Sequence, residues 1–312
     1  MLNHQNLTRK QKDLYFQLKR AIWNRKSINN ILEAASENDL LKVLTVGYTT
    51  RFPRGGGRTL TLLNLAIYKD NNESVDLILT HSNNKGILQE ILKTSSTMNY
   101  TIRGYTYTLT PLAFAIHRSN NECINSILMQ AQYSGILHNI LASKDIVQFP
   151  GLTYIITPLN FAIYKGNNEC INSILIRAQN SGILHNILTS KDIMQFPSLT
   201  YVIKPLAFAI YKGNNECINS ILIQARNSGI LQEVFIAVST VLSPYVEYTL
   251  NAFELSVVIH QNGTNVRTAL DNVSILIDYK KIEELNQCPF NRVAKKPSIN
   301  NVVTVLLLLS CK

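Results

Sequence analysis

The chain has 312 residues, 46% hydrophobic and 16% charged, with a formal charge of +10. That apolar share excludes wholesale disorder and allows one elongated array or two compact domains. The five cysteines are an odd number, and Cys123, Cys170 and Cys217 recur every 47 residues. They read as repeated small core residues of a protein in a reducing compartment, not as a disulfide framework.

Residues 1–26 carry Arg9, Lys10, Lys12, Lys19, Arg20, Arg25 and Lys26 against Asp13 alone. Leu7, Leu14, Leu18, Ala21, Ile22 and Trp23 fall on one side of a possible helix there. Such a helix can rest on a membrane or cover the open end of a stack, and the second role is favoured. This N-terminus lacks the apolar region of a secretory signal. Arg51, Arg54 and Arg58 make a second basic cluster around RGGGR. That string lacks the Gly-Lys-Ser/Thr of a phosphate-binding loop and reads as a hairpin tip.

From residue 61 onward the chain repeats itself. TPLAFAIHRSNNECINSIL starts at Thr110, TPLNFAIYKGNNECINSIL at Thr157 and KPLAFAIYKGNNECINSIL at Lys204, a period of 47. About three quarters of the positions in Thr110–Ile156 and Thr157–Ile203 are identical. TLLNLAIYKDNNESVDLIL from Thr61 is a diverged copy, INNILEAASENDLLKVL from Ile28 a more distant one, and Thr249–Ile277 a last one.

In the unit that starts at Thr157, Thr157 suits an N-cap and Pro158 the first helical position. Leu159, Ala162 and Ile163 give a short amphipathic helix, and Gly166 ends it. Asn167 or Asn168 caps a second helix with Ile171, Ile174, Leu175 and Ala178 on one face. Ile183, Leu184, Ile187 and Leu188 suggest a third, short helix. MQFPSLTYVI, Met194 to Ile203, reads as an extended, hairpin-like connection. One unit has too little core to fold alone, so the repetition predicts stacking of neighbours. Near the end of the chain the apolar run Val302–Ser310 is shorter than the roughly 20 residues a membrane-spanning helix needs.

The TPLxxAI string, the Gly-Asn turn and the helix ending in SIL resemble the ankyrin repeat, and the likeness covers about residues 27–280. Two departures stand out. The His of the family's Thr-Pro-Leu-His motif is replaced by Asn64, Ala113, Asn160 and Ala207, and the period exceeds the usual 33. The resemblance implies an all-α, ankyrin-like solenoid of five to six units, with an extra short helix and a hairpin-like connection in each. A three-helix solenoid of the armadillo kind is the second architecture. The expected organisation is a basic capping helix over 1–26, an array over 27–285 and a tail over 286–312. Unit bounds fall near 27–58, 59–107, 108–154, 155–201, 202–248 and 249–285. The Asn-, Ile- and Lys-rich composition adds a likeness to the ankyrin proteins of intracellular bacteria, many of which act on host proteins.

Carried over from that family, Tyr68-Lys69, His117-Arg118, Tyr164-Lys165 and Tyr211-Lys212 would line a concave binding face, an aromatic and basic ladder suited to an acidic protein partner. Phe52, Phe149 and Phe196, each followed by Pro, are either packed on the neighbouring hairpin or exposed as interface anchors. His138 and His185 exchange with Gln89 and Gln232 and read as exposed helix residues. The expectation is a monomeric, non-enzymatic protein-binding scaffold with no cofactor and no metal. It would be cytoplasmic, or delivered into a host cytosol without a cleavable signal. The alternative is a nucleic-acid binder using the basic N-terminal region with Arg51, Arg54 and Arg58.

Overall fold

The computed structural model describes residues 6–51, 56–100, 103–197, 200–237, 239–242 and 247–250. Helices α1 (Arg9–Trp23), α2 (Asn29–Ala34) and α3 (Glu37–Thr45) lead to the hairpin of β1 (Tyr48–Arg51) and β2 (Gly57–Leu60). The next unit holds α4 (Leu62–Tyr68), α5 (Asn72–Asn84), α6 (Leu88–Lys93), β3 (Ser96–Tyr100) and β4 (Tyr105–Leu109). It is followed by α7 (Pro111–Arg118), α8 (Asn121–Tyr133), α9 (Leu137–Leu141), β5 (Asp145–Phe149) and β6 (Leu152–Ile156). Then come α10 (Pro158–Lys165), α11 (Asn168–Asn180), α12 (Leu184–Leu188), β7 (Asp192–Gln195) and β8 (Thr200–Ile203). The last described unit has α13 (Pro205–Lys212), α14 (Asn215–Asn227), α15 (Leu231–Ile236), β9 (Ser239–Leu242) and β10 (Glu247–Leu250).

The hairpins do not stand apart as connections. Each strand pairs antiparallel with the one before and the one after, and β1 to β10 form one ten-stranded sheet in chain order. This corrects the expected fold class. The protein is mixed α/β, neither an ankyrin array nor an armadillo-type solenoid, because the residues beyond the 33 of an ankyrin unit build strands long enough to pair between units as well as within them. A concave, helix-only binding face of the ankyrin kind falls with that fold. The 249–285 unit, the 286–312 tail, Phe52 and Arg54 lie outside the described residues, apart from Thr249 and Leu250 in β10.

The helices form parallel rows. The first row stacks α1, α4, α7, α10 and α13; the second stacks α2, α5, α8, α11 and α14; and α3, α6, α9 continue a third. The first row is the centre of the molecule. Pro158 to Ile163 are all buried, and Phe114, Phe161 and Phe208 have no exposed surface. Burial of one such ring contributes about 2–3 kcal/mol. These short helices start at Pro111, Pro158 and Pro205 and end where the chain turns left-handed, at Gly166 (φ 68°) and Gly213 (φ 65°), a conformation glycine adopts without Cβ strain. Ser119 takes the same conformation (φ 55°).

Thr157 does sit at the N-cap position, yet its hydroxyl caps nothing. It donates instead to Asp192 Oδ2 at 2.9 Å, which also accepts from the Thr157 N–H at 2.8 Å and from Asn160 Nδ2 at 2.6 Å. Thus the first residue of β7 clamps the start of α10. Ser96 plays that part for α4, accepting from the Thr61 N–H (3.1 Å) and Asn64 Nδ2 (2.6 Å). Asn64 and Asn160, standing where the ankyrin motif has His, therefore bond to the sheet. Asp145 does the same for α7, from Thr110 alone.

Candidate functional site

Sheet register decides what faces the first-row helices. Arg58, Met98, Tyr107, Val147, Tyr154, Met194 and Tyr201 lie directly opposite one another across successive strands, and so share one face. Met98, Val147, Tyr154 and Met194 are buried. The aromatic members of this row meet the C-terminal ends of the first-row helices. Tyr107 packs on His117 (centroids 4.8 Å) and Tyr154 on Tyr164 (5.3 Å). In the first such pair Arg58 replaces the tyrosine and sits 3.9 Å over the ring of Tyr68.

The residues of the predicted ladder do come together, and each basic residue reaches back one unit. Lys69 lies over Trp23 at 3.4 Å, Arg118 over Tyr68 at 5.1 Å and Lys212 over Tyr164 at 4.7 Å. Lys165 is close enough to His117 to act on its charge. The ladder is thus a row of rungs, each an aromatic ring with the cation of the following unit. Tyr68, His117 and Tyr164 are half-buried, while Arg118, Lys165, Tyr211 and Lys212 are exposed. Its ring surface continues into the hairpins. Phe149 is half-buried against Tyr105 (4.8 Å), Tyr154 (6.1 Å) and Tyr164 (6.3 Å), and Phe196 against Tyr201 (5.7 Å).

Electrostatics differ along the row. A hydrogen bond from Arg58, with Arg118 and Lys69 nearby, holds the Tyr68 hydroxyl below the usual phenol range. Burial, then Lys165 and Arg118, pushes His117 down to about 4, so this ring is neutral at pH 7. Burial pushes Tyr107 and Tyr154 up to about 12. Partial burial also lowers Lys165 and Lys212.

No family model and no curated protein matches the chain. Its function is therefore argued from these side chains.

Other sequence candidates fall elsewhere. Cys123, Cys170 and Cys217 are buried and unpaired, and burial pushes the Cys123 thiol up to about 12, far from a nucleophile's range. His138 and His185 lie on α9 and α12, away from the ladder, and His185 Nε2 meets Glu233 at 2.8 Å. Arg51 is exposed on β1. Among the described residues no trio of His, Cys, Asp or Glu could hold a metal ion, and no helix is long and apolar enough to cross a membrane. Sequence reasoning missed Trp23, Tyr48, Tyr107, Tyr154 and Tyr201. The 47-residue recurrence of Tyr107, Tyr154 and Tyr201 was a readable signal. The place of Trp23 was not, since it depends on α1 stacking beside α4.

Proposed function

We propose that the protein is a non-enzymatic binding protein, and that it takes an extended acidic segment of another protein along the seam between the first-row helices and the sheet. The observation that carries this reading is the row of rungs, a ring plus a cation repeated from Trp23/Lys69 to Tyr164/Lys212. Repeated rungs suit a partner that is itself extended and repeats a weak contact. The cations favour carboxylates, and the exposed Tyr211 supplies apolar contact with a polar handle. A base-stacking nucleic-acid surface is less well supported, because such a platform needs open ring faces. Here cations and neighbouring rings cover them, at Trp23, Tyr68 and Tyr164 above all. The buried free thiols favour a reducing compartment, such as a cytosol, as its place of action.

The test is fluorescence anisotropy with a labelled, Glu-rich peptide and a single-stranded DNA of equal charge, at low and moderate salt. The peptide should bind the wild type more tightly than the DNA does. A Lys165→Ala/Lys212→Ala variant should lose about tenfold in peptide affinity, the scale of a truncated anchor. Equal peptide binding by variant and wild type, or a preference for DNA, would remove the seam as an acidic-segment site.

A further inference from the structure

The rungs are not equivalent, and the one at Tyr68 is out of line with the rest. At Tyr164 the ring meets one ammonium, that of Lys212. At His117 the ring is neutral at pH 7. At Tyr68 two guanidinium groups meet one ring, Arg58 at 3.9 Å and Arg118 at 5.1 Å. Cations continue outward from there. Lys69 lies over Trp23, and Arg25 Nη2 donates to the Lys69 carbonyl at 3.0 Å. Lys19 stands 3.0 Å over Tyr48, and a cleft is lined by Lys19, Trp23, Tyr48 and Arg58 together. Within this group of five cations, Arg118 meets the carboxylate of Asp70 at 3.7 Å.

We infer that this Arg58–Tyr68–Arg118 node is a phosphoryl-group site, taking a phosphorylated side chain at one end of the acidic segment. The inference rests on the acidic-segment reading above and adds the chemistry of its anchor. A carboxylate carries one charge and satisfies one guanidinium fork. A phosphoryl group carries nearly two charges and three acceptor oxygens, so it can engage two guanidinium groups at once, and planar forks rather than ammonium points are the side chains suited to it. Two positions set the node apart from the later units. Arg58 stands where they carry Tyr107, Tyr154 and Tyr201, and Arg118 stands where the next two carry Lys165 and Lys212. The Tyr68 hydroxyl, held below the usual phenol range by the hydrogen bond from Arg58 and then by the charges of Arg118 and Lys69, reports the same positive potential from inside the node.

The experiment uses the full chain and its single tryptophan. Trp23 emission should report the site, because Lys69 rests on its ring and is part of the cation group. Three probes are titrated: a Glu-rich peptide with a terminal phosphoserine, the same peptide with serine, and inorganic phosphate. The phosphopeptide should bind about tenfold more tightly than its serine twin. In Arg118→Gln, at an exposed side chain, the phosphopeptide and its serine twin should bind within about twofold of each other, whereas Arg118→Lys should restore only part of the preference. Equal affinity for both peptides with no Trp23 response to phosphate overturns the phosphoryl site and leaves the acidic-segment reading standing. A Trp23 response to inorganic phosphate without any peptide preference overturns the phosphorylated partner and assigns the node to the free anion. Failure of both peptides to bind removes both readings.

Discussion

Single residues in this protein show how repeats alike in most positions can be unequal in energy. Asp145 and Asp192 are both wholly buried at the first positions of β5 and β7. Asp192 meets the ammonium of Lys144 and three further donors from α10 and its cap. Asp145 has only Thr110, because Ala113 stands where Asn160 does and Ser95 stands where Lys144 does. Burial therefore pushes Asp145 up to about 7. The sign follows from a raised folded value against an unfolded value near 3.9. The native state holds a proton that the unfolded chain releases, so this contribution is complete below about pH 4 and is lost as pH rises through 7. Relative to Asp145→Asn, the wild type should lose on the order of 2–4 kcal/mol between pH 5 and pH 8, measured as the change in urea midpoint. Ser95→Lys should recover part of that loss at pH 8 by giving Asp145 the cation Asp192 already has. If both variants and the wild type show parallel pH curves, Asp145 is not the titrating group. Ser119 gives a simpler case. It holds a left-handed conformation that Gly166 and Gly213 hold in the next units. Ser119→Gly should raise stability by about 1 kcal/mol, the scale of Cβ strain in that region, and a thermal melt would show it.

Among the elements, the second-row helices explain why Asn-Asn-Glu is kept so strictly. Asn120, Asn167 and Asn214 cap their own helices, accepting from the N–H of Cys123, Cys170 and Cys217 at 3.0 Å. The same side chains donate to the preceding unit, Asn167 to Asn121 Oδ1 and Asn214 to Asn168 Oδ1, both at 3.0 Å. Asn121 and Asn168 in turn donate to Glu169 and Glu216 of the following unit. Each turn is thus a cap and a clamp together. Asn167→Ala should cost about 1–3 kcal/mol, more than Glu169→Gln, which keeps an acceptor for Asn121; denaturant titration of the two variants gives the order, and a reversed order would mean the clamp is idle. The helices themselves were legible in the sequence, because Pro, Gly and Asn act within a few residues and the apolar stripes have the helical period. The hairpins were legible as extended segments with β-forming residues. Their pairing into one sheet was not, since each bond between hairpins joins residues some 40 positions apart (Tyr107 to Val147, Tyr154 to Met194) and nothing local records it. The ladder was legible in part for the same reason: Tyr164-Lys165 is a local pair, but the rung it belongs to is Tyr164 with Lys212.

For the whole molecule, unit and sheet together set the rule for what can be removed. A unit contributes one helix to each of the first two rows and one hairpin to the sheet, and its main contacts are with neighbouring units. Stability in such an array accumulates from units and interfaces. Deleting Thr157–Ile203 joins Ile156 to Lys204 at equivalent positions, since Ile203 precedes Lys204 as Ile156 precedes Thr157. Strand β6 then meets β9 as it met β7, and α7 meets α13 as it met α10. The start of α13 keeps its own partner, because the Lys204 N–H still has Ser239 Oγ to donate to, at 3.4 Å in the parent. The shortened chain should therefore fold, with the helical and strand signals of the parent in circular dichroism and a denaturant slope lower by about a fifth, in proportion to the surface no longer buried. Deleting only Asp192–Ile203 is a different operation. It removes β7, β8 and the carboxylate that fixes the start of α10, keeps all three helices of the unit, and leaves β6 and β9 as unpaired edges with a gap between them. That variant should aggregate, as exposed edges do. If the two deletions behave alike in size-exclusion chromatography, the sheet is not what couples the units, and the helix rows alone carry the array.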